Sequence, residues 1–537
     1  MMNNMPLTRI FPTSLRSLQR FLFNLCFLSL LPAYCLRGDE VNLIPTEPGH
    51  APDYFCTWWV QGYASGSAVS SVQMDALKEE NIFGTGKNQG WINFYPRIRG
   101  DLIFVMDDSW DCGFDAAQPW PPQYDRGADI LDPVRFPTYA TSGTETEKLR
   151  NLNSAVQTKG WGGVGGWICA KKPGFYQMSD EEFFAQRFQW MNQAGWLYWK
   201  VDWGTKSKNV EWRHDLTNWA RAIAPNLIIE NARIWDCVPF SDSFRTYDVE
   251  TLTAIPVTLN RVVKGLLYRA DADAKGIINC EDEPVIGAAL GCALGIMRYP
   301  FSGDLPSGGP DVAFPPITRD LKNRLDEVDR AVLWHRVAPP FKVDGNVNVD
   351  PKMLNDSWYF QEGEGYKTKA GQWSRDSAPA RISRGLPLPS VSVVSGEPPF
   401  VIASRNSNGA VTVATLGRTI CNTPTDRTYG IPLADVTLDV GSITGPIGIF
   451  GRYRSLTLTF KHPIAAVTLL AQDILDVRAT DITSRVTVSD NQIIIPGDLI
   501  DQIGLQKGTP DDKSDPGMVI SIGRGAGKDP ESPSASR

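Results

Sequence analysis

From about residue 53 the chain alternates short runs of aromatic and β-branched residues with stretches whose apolar positions recur every three or four residues. That pattern predicts strands alternating with helices. Strands are expected at 54–60, 102–106, 163–169, 196–204, 226–230, 243–248, 276–279 and 298–301. Helices are expected at 70–80, 144–159, 210–224, 256–268, along the apolar run 285–297, and at 320–334. One more is well marked: Ser179 and Glu182 form a capping box, and Phe184, Phe188 and Met191 form an apolar stripe suited to a core. About eight strand and helix units in roughly 290 residues is the size of a (β/α)8 TIM barrel. A doubly wound open sheet is the alternative, but no Gly-rich phosphate loop follows the first strand.

Past Pro340 the texture changes to Gly, Pro, Asn and Ser between short alternating runs at 401–404, 411–415, 456–460, 466–470 and 493–496, with Asn406-Ser407-Asn408-Gly409 as a hairpin turn. The expected organisation is an α/β barrel over 50–340, a linker and first strands over 341–395, a small antiparallel β-domain over 396–522, and a disordered tail over 523–537. The segment from Gly508 onward reads as ragged, with one strand at 519–522.

The N-terminus carries Arg9, Arg16 and Arg20, an apolar run at 21–31, and Ala33-Tyr34-Cys35 before charged residues. That is the order of a secretory signal over 1–35, too short for a membrane span, so the protein is expected to be exported without a lipid anchor. A net charge of −7 and a pI near 5.4 give no basic footprint for nucleic acid. Past Cys35 the cysteines Cys56, Cys112, Cys169, Cys237, Cys280, Cys292 and Cys421 are widely and irregularly spaced, which is no disulfide framework. The four His residues form no ligand spacing, so no metal, no cofactor and no His-based triad is expected. The 17 Trp suit the apolar faces of sugars, or simply a Trp-rich core.

In a parallel barrel the C-terminal strand ends converge on one mouth. Those ends offer Trp58 and Trp59, Asp107 and Asp108, Trp167 and Cys169, Lys200 and Asp202, Glu230, and Arg245 with Asp248. Lys200 and Asp202, two apart on a strand, leave the same face. Each acid alone has an ordinary explanation, such as a helix cap or a salt bridge between Arg245 and Asp248. Carboxylates and Trp in one mouth, without His or metal spacing, fit glycosidic cleavage better than acyl or phosphoryl transfer, and the partner they imply is an oligo- or polysaccharide. An inactive carbohydrate-binding barrel, and an isomerase or aldolase using Lys200 as a Schiff-base amine, are the alternatives of other classes.

At these residues the sequence resembles glycoside hydrolase clan D, of the α-galactosidase and α-N-acetylgalactosaminidase type. Met106-Asp107-Asp108-Ser109-Trp110 is similar to the family's second-strand Asp pair, Lys200-Val201-Asp202 to its nucleophile motif, Ile229-Glu230 to its fifth-strand Glu, and Arg245-Thr246-Tyr247-Asp248 to its sixth-strand Arg and acid/base. The resemblance covers roughly residues 50 to 340 and implies retaining hydrolysis of an α-galactoside. It makes Asp202 the nucleophile held by Lys200, and Asp248 the general acid/base. Asp107 and Asp108 would bind sugar hydroxyls, Trp58 or Trp59 the apolar sugar face, and Glu230 and Arg245 the C2 substituent. An α-N-acetylgalactosaminide, a β-L-arabinopyranoside or an α-1,6-glucan is the nearest alternative substrate. Where the family places cysteines after the Asp pair and after the nucleophile motif, this chain has Ser109 and Trp203-Gly204.

Overall fold

A computed structural model describes residues 41–66, 70–111, 127–174, 176–246, 254–297, 323–359, 373–421, 423–424, 428–464 and 467–524. The expected signal segment and Asp248 lie outside them. Eight parallel strands close into a barrel: β1 Tyr54–Cys56, β2 Ile103–Met106, β3 Gly163–Ile168, β4 Tyr198–Val201, β5 Ile228–Ala232, β6 Ser243–Arg245, β7 Ile277–Glu281 and β8 Ala293–Ile296. The ring closes where Tyr54 pairs with Gly295 and Phe55 with Ile296.

Strand alternation sorts the side chains. Phe55 and Phe104 turn outward onto Trp161, and Trp199 onto Phe184 and Phe188 of the helix Asp180–Ala194. Their neighbours Tyr54, Cys56, Tyr198 and Lys200 therefore point into the barrel. The expected stripe of Phe184, Phe188 and Met191 is fully buried core, and the Ser179 and Glu182 capping box is formed.

Several boundaries differ from expectation. The first strand stops at Cys56, because Thr57 N–H makes the last ladder bond to Val105 and the Thr57 carbonyl already accepts Gln61 N–H as the first turn of the helix Trp58–Ser65. The aromatic run 58–60 is thus a buried helix and not a strand. The apolar run 285–297 divides into the helix Pro284–Leu290 and β8, so the eighth strand precedes 298–301, which lie outside the described residues. A short apolar run fits either state, and packing decided it. The last barrel helix is described from Leu325 to Trp334.

Beyond residue 340 the described strands form sheets of eight, five and four strands. The 341–395 span contributes strands to all three. Asn406 to Gly409 joins the antiparallel strands Phe400–Arg405 and Val411–Leu416, while Val411–Leu416 pairs in parallel with Ile447–Phe450. The strand expected at 519–522 is part of Gly517–Arg524, which lies between Ile447–Phe450 and Val467–Asp473, paired on both sides; residues 525–537 of the expected tail lie outside the described residues. The strand's alternation of Val, Ile and small residues is that of a central strand.

The eight-stranded sheet has two apolar faces. Phe400, Ile402 and Ala414 join the cluster that fills the barrel and its helices, whereas Val401, Ala403 and Val413 face a second core shared with the five-stranded sheet. The helix Leu325–Trp334 locks the first contact. Arg330 Nε and Nη2 grip the Asp473 carboxylate at 3.0 and 3.1 Å, and Trp334 Nε1 donates to Thr412 Oγ1 at 2.9 Å. At the N-terminal end of the barrel, Asp53 accepts Leu294 N–H at 2.7 Å and contacts His335 Nδ1 at 2.6 Å. No helix among the described residues is long and apolar enough to cross a membrane.

Candidate active site

The inward positions of the upper barrel are polar on almost every strand. Glu230 Oε2 accepts from Tyr198 Oη at 2.8 Å, Asn279 Nδ2 at 2.7 Å and Tyr54 Oη at 3.2 Å. Tyr54 Oη also lies 3.3 Å from Glu281 Oε1. A side chain on Gly295 would meet Asn279 Oδ1, Glu281 Cγ and the Tyr54 hydroxyl, each 2.9 Å from its Cβ position, so only glycine leaves room for this layer. All five polar side chains are buried, and burial pushes both tyrosine hydroxyls well above their usual range, with Glu230 adding to the effect.

Above this floor stand two ion pairs. Lys200 Nζ contacts Asp107 Oδ2 at 2.6 Å, and that oxygen also accepts from Cys56 Sγ at 2.8 Å. Burial would favour the neutral amine, but Asp107, helped by Cys56 and Asp202, outweighs it and holds Lys200 above the usual ammonium range. A charged amine removes the basis for Schiff-base chemistry. The second pair is Asp202 with Arg245, Oδ1 to Nη2 at 2.9 Å; Arg233 Nη1 reaches the same oxygen at 3.3 Å, and Trp167 Nε1 donates to Oδ2 at 3.2 Å. Burial works against ionisation of Asp202, yet Arg245, Lys200, Arg233 and the Trp167 bond together hold it well below the usual carboxylate range. Its side chain is 14% exposed, so the anion opens toward the mouth.

The backbone around the mouth is strained where strands end. Ser109, Arg233 and Asp282 adopt positive φ of 90°, 73° and 54° just after β2, β5 and β7. Non-glycine residues hold such conformations only when the surroundings impose them, and they gather at functional sites. For Arg233 the consequence is visible: its guanidinium is turned onto Asp202.

The structure gathers Asp107, Lys200, Asp202, Trp167 and Arg245 into one constellation with Glu230 beneath it. Asp108 is buried beside Asp107, whose Oδ1 accepts the Asp108 N–H at 2.8 Å. The contacts of several residues bear on the roles expected of them. Lys200 reaches from β4 to β2 and pairs with Asp107, and the cations in contact with Asp202 are Arg245 and Arg233. Arg245, expected at a sugar substituent, spends its Nη2 on Asp202. Glu230, expected at the same substituent, is fully buried with one oxygen held by three donors. Trp58 and Trp59 sit on the helix after β1, 8% and 3% exposed within the core cluster, instead of at a strand end.

Sequence reading missed Arg233, Tyr54, Tyr198, Asn279 and Glu281. Glu281 was within reach: β7 was expected to end at Asn279, and carrying the alternation of Ile277 and Asn279 two residues further places Glu281 on the inner face. Burial pushes its carboxyl well above the usual range, with Arg245 and Lys200 offsetting only part.

No family model and no curated protein matches this chain. Among solved structures it is similar to a candidate α-galactosidase from Bacteroides fragilis, at 11% identity and a TM-score of 0.40, covering 91% of this chain and 81% of that one. It is also similar to a family 27 β-L-arabinopyranosidase from Geobacillus stearothermophilus (10%, TM-score 0.38, covering 90% and 98%). A candidate α-N-acetylgalactosaminidase from Bacillus halodurans gives 11% and 0.39, covering 90% and 99%. Likeness at this level leaves the argument to the geometry of the site.

Proposed function

We propose that this protein is a retaining glycosidase that releases terminal α-galactosyl groups, with Asp202 as nucleophile and Asp248 as general acid/base. One observation carries the reading: a partly exposed carboxylate in the barrel mouth, held ionised by two guanidinium groups and an indole N–H. Such a group is suited to attack an anomeric carbon as positive charge develops there. In the first step Asp202 Oδ would form the bond to the anomeric carbon while Asp248 gives its proton to the departing oxygen; in the second, Asp248 takes a proton from the water that displaces Asp202. Asp107 and Lys200, fixed against each other, offer a carboxyl oxygen and an ammonium to sugar hydroxyls. The choice of α-galactoside follows the sequence resemblance at these same residues.

Two variants test this on aryl α-galactosides. Asp202→Asn is expected to lower kcat by about 10⁴-fold or more, while Asp248→Ala loses more activity with poor leaving groups than with activated ones. The Asp202 variant should still fold. An amide keeps the shape, and Arg245, relieved of one anion, remains beside Glu230 and Glu281. Full activity in a folded Asp202→Asn protein would exclude Asp202 as nucleophile.

A further inference from the structure

Exposure rises steeply along the end of β4: the side chains of Lys200 and Asp202 are 1% and 14% exposed, and Trp203 is 41% exposed. Among the described residues Trp203 and Trp373 are the exposed tryptophans, and Trp373 belongs to a strand of the later sheets. A partly exposed indole beside a charged site offers an apolar surface that a sugar ring can cover.

The backbone holding this ring is fixed on both sides. Ala170 N–H donates to the Trp203 carbonyl at 2.8 Å, and Lys206 N–H donates back to the Ala170 carbonyl at 2.8 Å, lacing the exit of β4 to the exit of β3. Gly204 makes the close approach possible: at φ +150° its Cβ position lies 2.6 Å from the Ala170 oxygen. The Trp203 ring packs tilted at 56° on Trp167, centroids 5.6 Å apart, and Trp167 in turn donates to Asp202. The platform is therefore positioned before any ligand arrives, and a preorganised surface loses little entropy on binding.

We propose that Trp203 forms the leaving-group subsite, taking the apolar face of a pyranose joined through the scissile bond. The inference rests on the reading of Asp202 as nucleophile. The anomeric carbon must lie at Asp202, and the ring being transferred must extend inward, toward the buried Asp107 and Lys200 pair. The departing sugar then extends outward along the same line, over the residue that follows Asp202 toward solvent. Stacking of a sugar's C–H face on indole is sequence-neutral for linkage, so the subsite selects for a ring on the leaving side and not for one disaccharide.

The test compares galactosyl-α-1,6-glucose with methyl α-D-galactopyranoside, which has no leaving-group ring, on the full chain. Trp203→Ala is expected to lower kcat/KM about tenfold on the disaccharide, mainly through KM, and by less than about threefold on the methyl glycoside. Trp203→Phe should recover most of the loss. Equal losses on both substrates, or none on the disaccharide, overturn the subsite. If the wild-type protein turns over neither sugar, the α-galactosidase reading fails instead. Disaccharide binding followed by tryptophan fluorescence then decides the platform: weakening by about tenfold in Trp203→Ala supports it, while equal or undetectable binding in both proteins overturns it.

Discussion

Arg245 faces three acids at once: Asp202 at 2.9 Å, Glu230 at 3.6 Å and Glu281 at 3.9 Å. One guanidinium cannot offset three buried anions, and the carboxyl that gives way is Glu281, pushed up by burial and by its acidic neighbours Glu230 and Asp282 against Arg245 and Lys200. Burial and the neighbouring acids therefore favour the protonated, hydrogen-bonding form of Glu281. Glu281→Gln, which copies the shape of the protonated form that burial favours, is expected to keep kcat/KM within about threefold, whereas Glu281→Leu leaves the Tyr54 hydroxyl and Arg245 beside an apolar group and costs about 1–3 kcal/mol in unfolding free energy. A hundredfold fall in the amide variant's activity would mean that the Glu281 proton is used in turnover. At this scale the charged residues themselves were legible as acids and bases at strand ends. Their partners were not, since Lys200 meets Asp107 across 93 residues of chain.

The helix Leu325–Trp334 carries the contact between the barrel and the eight-stranded sheet. Arg330 and Asp473 are both buried, and Asp473 also accepts Leu475 and Lys507 N–H at 3.0 and 2.8 Å, so two backbone donors still hold its carboxyl group if Arg330 is lost. Arg330→Met is expected to destabilise by about 3–5 kcal/mol in denaturant unfolding, and adding Asp473→Leu should recover part of that by removing the orphaned anion. Additive losses in the double variant would show that the pair itself contributes nothing. Helix caps and amphipathic periods made most helices readable from sequence. The elements misread were the short, uniformly apolar ones, 58–60 and 285–297, where periodicity carries no signal and packing chooses the state.

At the scale of the whole molecule, Asp329 makes stability depend on pH toward neutrality. Asp329, on the same helix, has its carboxyl raised to about 7 by burial, which Arg97 at 3.5 Å only partly counters and Asp326 reinforces. In the unfolded chain it titrates near 3.9, so between about pH 4 and 7 the folded protein holds the extra proton and stability falls as pH rises. Asp329→Asn removes that slope. The expected result is a Tm that declines less between pH 5 and pH 7.5 than in wild type, with a gain of ~1–3 kcal/mol at the upper end; parallel Tm curves for the two proteins would exclude Asp329 as the source. Arg97 keeps Asp326 at 2.8 Å in the variant, so no cation is stranded.

What the sequence determined by itself is the alternation of strands and helices, the barrel that follows from it, and the strand ends where charge collects, because strand period and helix period are local properties of the chain. Tertiary structure decided which charges pair, which acid burial pushes toward its protonated form, and which tryptophan faces water. Those are properties of distance and dielectric, and both are set by residues that only the closed barrel brings together.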